Sequence, residues 1–99
     1  MKILAITACP TGIAHTYMAA ECLERTGAQL GHQVKVETQG AMGVENKFTA
    51  KDIQEAEALI LAADIPVQGR DRFEGIARIL EVPVQLAIRN PAEIFSRLQ

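Results

Sequence analysis

The segment Ile3-Leu4-Ala5-Ile6-Thr7-Ala8, broken by Cys9-Pro10-Thr11-Gly12 and followed at once by a helical pattern, constrains this chain more than any other feature. A run that is apolar but for one threonine reads as a strand buried on both faces, the habit of strands in parallel sheets, and the proline and glycine end it in a tight turn. From Ile13 to Leu30 the apolar and small residues Ala14, Met18, Ala19, Cys22, Leu23, Thr26 and Leu30 recur at spacings of three and four, with Glu21 and Arg25 on the other side. The pattern predicts an amphipathic helix that buries Met18 and Cys22 and stops at Gly31 in a left-handed cap. A strand that feeds a helix in this way begins a crossover, so the rest of the chain has to supply parallel neighbours for it.

Gln33 to Thr38 alternates as a strand, and its polarity places it at the sheet edge. Residues 39–46 read as a loop, and Glu37, Gln39 and Asn46 are expected to satisfy loop backbone groups. Thr49 with Asp52 three residues on is a capping signal for a helix over Ala50 to Glu57. Leu59 to Ala63 is a wholly apolar third strand that ends at Asp64. Residues 66–75 are polar and irregular, so Arg70, Arg72 and Phe73 read as a solvated loop with one anchoring aromatic. Ala77 to Val82 is expected as a fourth strand and Ala92 to Leu98 as a last helix opening at Asn90-Pro91. Ile76 to Ile88 reads equally as strand or helix. The expected fold class is α/β: an open three-layer sandwich with a four-stranded parallel sheet, order 2-1-3-4, and helices on both faces. Such sheets bind ligands beyond the carboxyl ends of their strands where the order reverses, here between the ends marked by Cys9 and Asp64.

At 99 residues the chain fits a single domain, residues 1–99. With 48% apolar residues and a formal charge of −2 it resembles neither a disordered chain nor a nucleic-acid-binding one. The apolar N-terminal run is too short for a signal peptide, and no stretch reaches the roughly eighteen apolar residues of a membrane span, so a cytoplasmic location is expected. Cys9 and Cys22 lack CxxC spacing and no histidine pair shares a helix face, which leaves no metal site, and without GxGxxG a dinucleotide cofactor is disfavoured. His32, beside a glycine turn, reads as a solvated surface residue.

Cys9 is the residue with chemistry to explain. Unpaired N–H groups of the turn and of the first helical turn converge beyond the strand, and the helix dipole adds partial positive charge, so an anion is favoured there. A thiolate and a phosphate both qualify. The candidate phosphate-binding set is Pro10, Thr11, Gly12, Ile13, Ala14, His15 and Thr16, with Gly12 letting the backbone close and the two threonines and His15 as auxiliary donors. Asp64, Gly40 and Asn46 form a possible opposite wall. Five residues separate Cys9 from His15-Thr16, the loop length of low-molecular-weight tyrosine phosphatases, but His15 stands where those enzymes carry the arginine that clamps the phosphoryl group. Without that clamp hydrolysis should be weak, leaving a cysteine that can hold a phosphoryl group until another acceptor arrives.

Cys-Pro-Thr-Gly-Ile-Ala-His-Thr-Tyr-Met-Ala-Ala-Glu at 9–21, Val-Glu-Thr-Gln-Gly at 36–40, Gly43-Val44-Glu45-Asn46 and Ala62-Ala63-Asp64 resemble the fructose-family IIB component of the bacterial phosphoenolpyruvate-dependent sugar phosphotransferase system. The resemblance covers nearly the whole chain. It implies that Cys9 receives phosphate from a phosphohistidine on a IIA component and passes it to a fructose-like sugar held by a IIC permease, which makes IIA and IIC the expected partners and brings the chain to the inner face of the membrane. Two other readings remain: a phosphatase-like or arsenate-reductase-like enzyme, and a non-catalytic regulatory module that uses Cys9 as a redox sensor.

Overall fold

The computed structural model describes residues 1–9, 13–40 and 43–98. In chain order the elements are β1 (Lys2–Ala8), α1 (Ile13–Gln29), β2 (Gln33–Gly40), β3 (Gly43–Glu45), α2 (Ala50–Glu55), β4 (Ala58–Ala63), a 3-10 turn at Arg70–Phe73, β5 (Arg78–Val82), α3 (Val84–Arg89) and α4 (Pro91–Arg97).

One sheet of order β3-β2-β1-β4-β5 forms the middle layer. Its four long strands are parallel and stand in the expected order, but β3 adds a short antiparallel strand outside β2, pairing Thr38 with Glu45 and Gly40 with Gly43. The sheet therefore has five strands instead of four, and β2 is an inner strand instead of the edge. Gly43, at φ +89°, supplies the left-handed conformation that brings the chain back on itself.

Strand registers sort the side chains. Ile3 and Ala5 on β1, Cys9 just past its end and Val36 on β2 face α1, α3 and α4, in a core with Ala19, Leu23, Ala87, Ile94 and Phe95. Leu4, Ile6, Leu59 and Leu61 face the other way, against Phe48, Phe73 and Ile76. Phe73 is fully buried, the anchoring aromatic expected of the 66–75 segment, and through it that segment closes the second core. The capping box at Thr49 and Asp52 is present, and α2 stops at Glu55, two residues short of the expected end. The ambiguous stretch divides at Pro83: a strand before it and α3 after it.

Helix α1 ends in the expected left-handed glycine. Gly31 donates to the Ala28 carbonyl and His32 to that of Gly27, the paired bonds of a Schellman cap. The stripe assigned to α1 was too wide, however. Met18 is 49% exposed, because α1 meets the sheet through Ala19, Ala20 and Leu23. Cys22 is half-buried, its thiol facing the Ile88 carbonyl at 3.9 Å. His32 is also half-buried, its ring stacked on Phe95 with centroids 5.8 Å apart. Both ends of the described chain lie at the amino end of the parallel strands: Gln33 donates to the Met1 carbonyl at the start of β2, and Arg78, at the start of β5, donates to the Leu98 carbonyl. Cys9 lies at the opposite, carboxyl end. No helix of the described residues is long and apolar enough to cross a membrane.

Candidate active site

Cys9 follows the last residue of β1, and its side chain belongs to the α1-facing layer; it is 5% exposed. Four residues on, α1 begins, 17 residues long and with no acidic side chain in its first turn, so its N-terminal dipole is not neutralised from within. Pro10, Thr11 and Gly12 lie outside the described residues. Among the other members of the expected loop, Ala14 and His15 are exposed and Thr16 is 2% exposed. The first turn of α1 is tied down from beneath, for Thr7 donates from its hydroxyl to the Thr16 carbonyl at 3.1 Å. Thr7 was visible in the sequence as the one polar residue in an apolar strand, two places before the cysteine, yet it was not singled out.

The three residues expected as the far wall have different surroundings. Gly40 ends β2 against the helix start: a β-carbon there would stand 3.7 Å from Thr16 Oγ1. Asp64 is joined to β1 by a bond from its N–H to the Ala8 carbonyl, but its carboxylate accepts from the Val84 N–H at 3.2 Å and so serves the start of α3. Asn46 is exposed and holds a left-handed turn at φ +55° at the end of β3. A further contact escaped the sequence reading. The hydroxyl of Tyr17 donates to the carboxylate of Glu45, fastening the β3 hairpin to α1; that bond, with burial and the adjacent negative charge, raises the Tyr17 pKa.

Behind this edge lies a buried ion pair. Glu37, fully buried on β2, accepts from both Arg72 Nη1 and Nη2 at 3.0 and 2.9 Å, from Gln39 Nε2 at 2.9 Å and from the Phe48 N–H at 3.0 Å. Burial pushes its carboxyl up, but the bonds from Arg72, Gln39 and Phe48 outweigh that and leave it below the ordinary value. Gln39 also clasps Gln68 through both its amide atoms, so the segment before the 3-10 turn is fixed to the carboxyl end of β2. Glu37 and Gln39 thus do settle backbone groups of nearby loops, as expected. Arg72, read as solvated, instead neutralises the core carboxylate and packs over Phe73 at 4.7 Å. Among the described residues no cluster of three histidine, cysteine or acidic side chains has the arrangement of a metal centre.

A model of the "PTS system, Lactose/Cellobiose specific IIB subunit" family matches residues 4–97. The chain belongs to the PTS IIB family. Its relatives place it in the fructose-like branch, despite the sugars in the family description. It is 46% identical over 98 residues to "PTS system fructose-like EIIB component 2" of Escherichia coli K12, covering 99% of this chain and 92% of that one. It is 51% identical over 96 residues to the "PTS system fructose-specific EIIABC component" of Bacillus subtilis, covering 97% of this chain but 15% of that much longer protein. A solved domain of a fructose-specific IIABC component from Borrelia burgdorferi superposes with a TM-score of 0.91 at 43% identity, covering 97% of this chain and 90% of that one. As a fructose-family IIB domain, the chain is a sugar phosphotransfer domain.

Proposed function

We propose that Cys9 is the phosphoryl carrier of this IIB domain, taking phosphate from a phosphohistidine of a IIA component and giving it to a fructose-like sugar bound in a IIC permease at the inner face of the membrane. The observation that carries the reading is the placement of Cys9 between the end of β1 and the start of α1, where Thr7 ties the first helical turn to the strand. In the first step the thiolate attacks phosphorus in line. The S–P bond forms as the N–P bond of phosphohistidine breaks, and the electron pair goes to the imidazole nitrogen. In the second step a sugar hydroxyl oxygen attacks phosphorus, the S–P bond breaks with its electron pair returning to sulfur, and the hydroxyl proton passes to a base in the acceptor complex. N–H groups at the start of α1 and the loop residues 10–16 stabilise the equatorial oxygens. No cofactor or metal enters either step.

The test is transfer of labelled phosphate from phosphoenolpyruvate through the general phosphotransferase proteins and a fructose-type IIA onto this chain, with the modified residue mapped by mass spectrometry. Label on Cys9 that is discharged only when sugar and IIC are added is the expected result. Absence of label, with a charged donor and folded protein, would refute the proposal.

A further inference from the structure

Resting on the carrier reading, we infer that the hydroxyl of Thr38 is a donor to the phosphoryl group held on Cys9. Thr38 lies on the α1-facing side of β2: Val36, two places before it, packs in the core with Ala19 and Leu23, whereas Glu37 turns to Arg72 on the opposite face. Its register partner on β1 is Thr7, whose side chain reaches α1, and Cys9 is two places further along that same face. Thr38 is therefore a diagonal neighbour of Cys9 across a parallel pair, a backbone separation of about 8 Å from the strand spacing and the rise per residue that a hydroxyl on one side and a phosphoryl arm on the other can close.

Thr38 is 3% exposed, and its Oγ1 has no hydrogen-bond partner among the described residues. A hydroxyl buried in that state is disfavoured until an acceptor arrives, and a charged phosphoryl oxygen is a strong one. The surface beyond it is shaped to admit such a group. Gly40, next on the same face, carries no side chain, and Thr16 Oγ1 stands across from it, 3.7 Å from where a β-carbon would be. Two buried threonines thus flank a side-chain-free position opposite the end of β1.

Thr38→Val keeps the shape and removes the hydroxyl, whereas Thr38→Ser keeps the hydroxyl and removes a methyl group. Loss of one bond to a charged acceptor should slow phosphoryl transfer from charged IIA to Cys9 by about tenfold or more in the valine variant. Its unfolding midpoint should stay level or rise, since an unpaired buried hydroxyl has gone; a purely structural threonine would show no such split between rate and stability. The serine variant should transfer within about threefold of the parent. Transfer by Thr38→Val at the parental rate would overturn the inference, as would equal losses in the valine and serine variants. Should the valine variant fail to fold, Thr38→Ala against Thr38→Ser makes the same comparison. A parent chain that takes no label on Cys9 would bring down the carrier reading and this inference with it, whereas a labelled parent with an indifferent valine variant would remove this inference alone.

Discussion

Replacing Arg72 by alanine should cost far more than its partial exposure alone would suggest. Glu37 is fully buried and would keep the bonds from Gln39 and Phe48 but lose both guanidinium bonds and its only opposite charge within hydrogen-bonding distance among the described residues. Two charge-assisted bonds of about 1.5 to 3 kcal/mol each set the upper scale. Because the Arg72 side chain is 20% exposed, water can enter from that side, so the low end of the cost of breaking a buried pair applies, about 3 kcal/mol. For a domain of this size that is a fall in melting temperature of roughly 12 to 24 °C. The assay is thermal and urea unfolding at pH 7, with Arg97→Ala as the control, an exposed one-turn helix pair to Glu93 that should contribute almost nothing measurable. The sign with pH is part of the test. In the parent the Glu37 carboxyl lies below its ordinary value, so its contribution is complete above the usual carboxylate range and is lost as pH falls through the lowered value. Without Arg72, burial favours the protonated acid, and the gap between variant and parent should narrow in acid. A loss under about 1 kcal/mol at pH 7, or a gap unchanged down to pH 4, would refute the reasoning.

Cys9→Ala should abolish phosphate labelling while Cys22→Ala leaves it intact with a small loss of stability; label lost in the Cys22 variant alone would reverse the assignment of the two thiols. Gly27→Ala should destabilise by about 1 to 3 kcal/mol in urea unfolding, since a new β-carbon would sit 2.2 Å from Val34 Cγ2 and 3.1 Å from Phe95. Acid titration of the parent should show stability level above about pH 5 and falling below about pH 4. Asp52 contributes with Glu37, its carboxyl held well below the usual range by the bond from Lys35 and then by the N–H of Thr49. Lys35→Met should flatten that acid limb.

What was legible in the sequence was local. The apolar run of β1, the glycine that closes α1 and the Thr49 to Asp52 box each declare themselves within a few residues, and all three are where they were expected. Strand β3 was missed because three exposed residues carry no period that distinguishes them from a loop; only pairing with β2 makes them a strand. Met18 was misplaced because spacing gives the face of a helix but not its width, and α1 approaches the sheet through small residues that leave the flank open. The ion pair was beyond reach for a different reason: Glu37 and Arg72 are 35 residues apart and nothing near either names the other. At the candidate site, Cys9 and Thr16 were read from the loop spacing, whereas the bond from Thr7 to α1 and the place of Thr38 beside Thr7 come only with the folded sheet.

That both ends of the described chain lie at the amino end of the sheet bears on how such a domain can be tethered. Polypeptide joined before Met1 or after Leu98 would leave from the side away from Cys9, so a linker at either end would act as a leash fixed to the back of the domain while the Cys9 end sweeps the volume in front. On the proposed carrier function, the rate at which a tethered Cys9 meets a donor or an acceptor would then follow from leash length through effective concentration, with little need for a new interface. The same domain could serve as a free-standing piece or as an inner segment of a longer chain without rebuilding its chemistry.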